Sequence, residues 1–131
     1  MKAKAIILIS IVFTVFLLGC TTNSLKSGIT GTLQYGEGNC VFDANFRTYT
    51  PYSGYVFFVN KAVKDTTSLS LNAILSISDS TNCTAGKFTQ KLEVGLYYLC
   101  IREYPVLYED NFFTINPNET TEQNFWIFKC I

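Results

Sequence analysis

The chain of 131 residues has single-domain length, and its 48% apolar content supplies a core, while 15% charged residues exclude a disordered or highly solvated chain. Ten basic residues balance ten acidic ones without a basic run, which leaves no electrostatic footprint for nucleic acid. The chain has no histidine, and this rules out a His-based triad, a His-ligated zinc and a histidine pH switch.

Lys2 and Lys4 precede an apolar run of fourteen residues, Ala5 to Leu18, interrupted only by Ser10 and Thr14. This is the n-region and h-region of a secretory signal. As a helix the run would reach about 21 Å against a hydrocarbon core of ~30 Å, too short for a permanent span. It ends in Leu17-Leu18-Gly19-Cys20, which resembles the lipobox of bacterial lipoproteins. The resemblance implies cleavage before Cys20 and lipid on that cysteine, with residues 1–19 as the signal peptide. Cleavage removes Lys2 and Lys4 and leaves eight basic residues against ten acidic ones. Thr21 stands where the enterobacterial sorting pattern would place a retention aspartate, so the expected site is the outer membrane in a cell that has one. Residues 20–28 then form a polar, lipidated tether, and 29–131 the folded domain.

Within that domain Ile29, Gly31, Leu33 and Tyr35 alternate with Thr30, Thr32 and Gln34, the period of a strand with one buried face, and Gly36-Glu37-Gly38-Asn39 breaks it. The run Tyr55 to Asn60 suits a central strand buried on both faces. Leu69, Leu71, Ala73, Leu75 and Ile77 alternate with polar residues and predict a third strand, while Asp79 to Gly86 reads as a turn. Phe88 to Leu92 and Leu96 to Arg102 flank Gly95 as a hairpin, and Phe112 to Ile115 and Phe125 to Cys130 supply the last two strands. No helical period persists after residue 20. The expected fold is all-β, an antiparallel sandwich of about seven strands.

With Cys20 assigned to lipid, Cys40, Cys83, Cys100 and Cys130 remain. An even number in an exported chain predicts two disulfides, in any of three connectivities. The spacings fit no zinc ribbon, so no metal is expected.

Asp79…Gly86-x-Phe88-x-x-x-Leu92-x-x-Gly95-x-Tyr97-x-Leu99-x-Ile101, preceded by Gly31-Thr32-Leu33, resembles carboxypeptidase-regulatory-like, transthyretin-like (prealbumin-like) domains. That resemblance implies a transthyretin-like or Ig-like sandwich, and an accessory or ligand-presenting role on an envelope protein. It fixes no ligand.

Tyr49, Tyr52 and Tyr55 surround Pro51, and Tyr108 lies in a second aromatic and acidic loop with Glu103, Tyr104, Glu109 and Asp110. Tyr49, Tyr52 and Tyr108 are the candidate ligand contacts, because tyrosine offers flat, partly polar area, although such rings more often cap a core. Trp126, set between Phe125 and Ile127, is expected inside the core. A carboxylate pair for glycoside hydrolysis can be drawn from Glu37 and Glu109, but sequence does not give the separation such chemistry requires and no nucleophile-and-base constellation is present; no catalytic residue and no cofactor is expected. The sequence therefore leads to a membrane-anchored, disulfide-stabilised accessory module whose partner is another envelope protein or a glycan. A glycan-binding surface lipoprotein and an enzyme inhibitor are the alternatives.

Overall fold

A computed structural model describes residues 27–41 and 43–131; the signal segment, the lipobox with Cys20 and nearly all of the tether lie outside the described residues. Eight strands, two short helices and two 3₁₀ turns follow one another: β1 (Gly28–Gly38), a 3₁₀ turn (Ala44–Phe46), β2 (Thr50–Pro51), β3 (Gly54–Asn60), α1 (Lys61–Thr66), α2 (Leu71–Ile77), β4 (Asp79–Cys83), β5 (Lys87–Lys91), β6 (Gly95–Ile101), a second 3₁₀ turn (Glu109–Asn111), β7 (Phe112–Ile115) and β8 (Thr120–Cys130).

The strands form two sheets packed face to face, the expected all-β sandwich. In the first, β1 is flanked on one side by β8, parallel from Gly28↔Thr120 to Gly38↔Cys130. Its other side is shared by β5, antiparallel over Gly28 to Thr32, and β2, at Gln34 and Tyr35. The second sheet has the order β4-β3-β6-β7 and is antiparallel throughout.

Alternation on β1 and β8 turns Ile29, Leu33, Phe125 and Ile127 inward. There they meet Phe58, Phe88 and Phe113 in a ring cluster whose neighbouring centroids lie 5.7 to 6.1 Å apart. β3 is buried on both faces, as its unbroken apolar run requires: Val56 and Phe58 face the first sheet, Phe57 and Val59 the opposite side.

The cover on that opposite side is where the sequence reading fails. Residues 71–77 form helix α2 and not a strand; Leu71, Ile74 and Leu75, at helical spacing, close a second small core against Phe57, Val59, Tyr98 and Cys100. A sheet apolar on both faces needs such a layer, and the Ser70 side chain accepts the Ala73 N–H to start it.

Other boundaries move as well. The predicted turn 79–86 is strand β4 followed by a tight two-residue turn, with Ala85 at φ 49° and Gly86 at φ 76° and reciprocal backbone bonds of 3.0 Å between Thr84 and Lys87. β5 and β6 are not a hairpin, because the buried Leu92 between them carries the chain from one sheet to the other. β1 continues through Gly36 to Gly38, and β8 starts at Thr120.

One disulfide joins Cys40 to Cys130 with its Cα atoms 5.4 Å apart. Cys83 and Cys100 do not form the second: both are buried free thiols. β3 separates their strands, with Cys83 opposite Gly54 and Cys100 opposite Phe57. At about 4.8 Å per strand and ~3.4 Å per residue this places them well over 10 Å apart, beyond the ~7 Å a bridge spans. They also serve different cores, Cys83 the inter-sheet cluster and Cys100 the helix-covered one.

Candidate functional site

The second sheet is covered on both faces, whereas among the described residues no helix or sheet packs over the outward face of β1 and β8. Asn124, Trp126, Phe128 and Cys130 occupy that face on β8, by the same alternation that turns Phe125 and Ile127 inward. Trp126 is 56% exposed, so its expected place in the core is overturned. Its partner in register is the polar Gln34.

Two segments rise beside this face. The connection from β1 to β2 brings Arg47 and Tyr49 over Phe128: the guanidinium carbon lies 4.9 Å from the ring centroid, and Tyr49 meets the same ring edge-on at 5.7 Å. Gly36 makes this approach possible. A Cβ there would stand 2.2 Å from the Thr48 carbonyl oxygen and 2.9 Å from Phe128 Cδ2. The disulfide pins the same connection to the end of β8.

On the other side the second 3₁₀ turn packs against β8 and sets Tyr108, Asp110 and Asn111 at its edge. Tyr108 donates to Tyr104 Oη at 2.7 Å, and burial, followed by that hydrogen bond, pushes its phenol up to about 12. Between the walls lies a groove of about 490 Å³, within the ~300–1,000 Å³ range of small-ligand sites.

Two of the three predicted contacts, Tyr49 and Tyr108, are thus brought together although they come from separate loops. Tyr52 is not with them in the lining of the groove. It is 6% exposed, part of the inter-sheet core, and its hydroxyl donates to Glu103 Oε2 at 2.7 Å. Its backbone ties three elements: the N–H donates to Leu33 O at 3.0 Å, and the carbonyl accepts from Gly86 N at 2.8 Å. Burial first, and Glu103 second, hold its phenol well above the ordinary value. Tyr55 is exposed and lies outside the groove. Glu37 accepts from the Tyr35 hydroxyl and lies 3.9 Å from Lys129 Nζ.

The groove is chemically mixed. Trp126, Phe128 and the two tyrosines give ring faces, Asn111 and Asn124 give amides, and Arg47 and Asp110 are the charged residues lining it among the described residues. Neither charge is in an ion pair among the described residues. Arg47 Nε and Asn111 Nδ2 are buried without a hydrogen-bond partner among the described residues, a condition that costs about 1–3 kcal/mol per group. Among the described residues no group of three or more Cys, Asp or Glu side chains is placed to hold a metal ion.

Trp126, Arg47, Asn111 and Phe128 went unnoticed in the sequence as site residues. The alternation of β8 carried the signal for Trp126 and Phe128: once Phe125 and Ile127 face the core, their neighbours face out. No family model, curated protein or solved structure matches the chain.

Proposed function

We propose that the chain is a lipid-anchored, disulfide-stabilised binding module of the bacterial cell envelope, which presents the groove beside Trp126 to a ligand at the membrane surface. The convergence of Tyr49, Tyr108 and Trp126 in one solvent-open groove carries this reading. The groups there, rings, amides and one charge of each sign, suit holding a ligand rather than attacking one, so the proposed work is binding without catalysis. Anchoring is supported by Leu17-Leu18-Gly19-Cys20 at the end of the apolar run. Acyl chains at ~0.8 kcal/mol per buried CH₂ would hold the mature chain on a bilayer. The resemblance of the Gly86 to Ile101 segment to carboxypeptidase-regulatory-like domains supports an accessory role.

Two measurements on the full chain in cells that lipidate it test the two halves. Cys20→Ser should move the protein from the membrane to the soluble fraction, and retention of the processed variant on membranes would refute the anchor. A photo-crosslinking p-benzoylphenylalanine in place of Trp126 should capture an adduct that the same group in place of Tyr55 does not. Equal labelling at both positions, or none at either, would refute the groove.

A further inference from the structure

We infer that the ligand of the groove is a neutral saccharide chain, stacked on Trp126 and Tyr49 and hydrogen-bonded by Arg47 and Asn111. This deepens the binding-module reading and rests on it. Arg47 Nε and Asn111 Nδ2 are the two buried side-chain polar atoms that lack a partner among the described residues. Both belong to the walls of this one groove. Their coincidence there points to an oxygen supplied from outside the chain, and a sugar hydroxyl is such an acceptor.

The rings specify the rest of the chemistry. An indole more than half exposed offers an apolar, electron-rich face, and the C–H face of a pyranose is its natural complement, apolar in the middle and hydroxylated around the rim. Amides and a carboxylate around that ring match the rim. Arg47 and Asp110 cancel, so nothing favours a strongly anionic ligand.

A peptide strand is the competing occupant, because β8 is an edge strand. Along the groove, however, the second 3₁₀ turn already packs against β8, which hinders the ladder on which strand addition depends. The site is also preformed. Tyr108 is tied to Tyr104, Arg47 and Tyr49 to Phe128, and the Arg47 wall to β8 through Cys40 and Cys130. Little ordering remains to oppose binding.

Trp126 is the only tryptophan in the chain, so its fluorescence reports on this site alone. Full-length lipidated protein in detergent micelles is applied to an array of neutral oligosaccharides, including β-linked glucans, α-linked glucans, mannans and chitooligosaccharides. Members that bind are then titrated against Trp126 emission. At least one should shift the emission saturably, with oligomers binding more tightly than their monosaccharide. Trp126→Ala, followed on the array, and Tyr49→Phe and Tyr49→Ala, followed by emission, separate stacking from hydroxyl contact. The two alanine variants should weaken binding at least tenfold and Tyr49→Phe less than threefold, with Tyr55→Ala unchanged. Silence across the array, or binding that survives Trp126→Ala, would overturn the saccharide. A protein adduct from the crosslinker at position 126 with a silent array refutes this inference alone and leaves the binding-module reading intact.

Discussion

Gly31 shows how closely two strands must approach for this sandwich to close. A Cβ at that position would lie 1.8 Å from the Gln123 carbonyl oxygen of β8, a backbone atom that no side-chain rotation can move away. Gly31→Ala should therefore force β1 and β8 apart and lower stability by about 1–3 kcal/mol or more, as overpacking does; a urea melt within 0.5 kcal/mol of the parent would refute this close approach. Tyr52 makes the complementary point, since the residue expected at a ligand surface works instead as an internal tie. Tyr52→Phe keeps the ring and removes the hydroxyl, which donates to Glu103 at 2.7 Å and lies 3.4 Å from the Tyr55 carbonyl oxygen. Glu103 is exposed and regains water, so the expected loss is about 1 kcal/mol, within the usual range for one hydrogen bond. Ligand binding should be unchanged, and a fall in affinity with unaltered stability would return Tyr52 to the site.

At the scale of elements, the helices decide how much of the second sheet is dry. Leu75 on α2 is 2% exposed against Phe57 and Tyr98 on strands β3 and β6. Leu75→Ala should cost about 2–5 kcal/mol, the range for truncating a buried leucine. Native-state hydrogen exchange should then rise in α2 before it rises in β1 and β8, because the second core is separate from the first. Uniform acceleration along the chain would show one cooperative core. The same element explains what was legible in the sequence. Apolar patterning marked β1, β3, β6 and β7, by alternation in β1 and by an unbroken apolar run in β3, because each has a face, or both faces, committed to a core. It failed at residues 69–77, where Leu71, Ala73, Leu75 and Ile77 satisfy a period of two while Leu71, Ile74 and Leu75 satisfy a helical one. Ile74, which breaks the alternation, was the residue that distinguished them, and tertiary need for a cover layer settled the choice. The groove was half legible: Tyr49 and Tyr108 announced themselves by composition, but no local signal says that two loops meet across β8.

At the scale of the whole molecule, the cysteines divide the structure into an oxidised rim and a reduced interior. The bond between Cys40 and Cys130 ties the connection after β1 to the end of the last strand, and Cys130 is exposed to reductant. Alkylation of the native protein should modify neither Cys83 nor Cys100, and alkylation after unfolding without reductant should modify both. An unfolded, unreduced domain without reactive thiols would restore the two-disulfide arrangement. The interior thiols also set an alkaline limit to the fold. Cys100 is fully buried, and burial raises its thiol from an ordinary value of 9.0 to about 11. Between those values the unfolded chain has lost this proton and the folded chain still holds it, so the unfolded state binds fewer protons and stability falls as pH rises. The contribution is fully retained below pH 9, is lost progressively from pH 9 to 11, and amounts to about 2–3 kcal/mol at most. Burial raises Cys83 in the same direction, and the phenols add their own loss at higher pH. Comparison with Cys100→Ala isolates the single thiol: the variant should be less stable at pH 7.5, from the cavity it leaves, yet lose less between pH 9 and 11 than the parent does. Parallel curves in urea melts across that interval would mean that Cys100 ionises as freely in the folded domain as in the unfolded chain, and that the core beneath the helices is open to water.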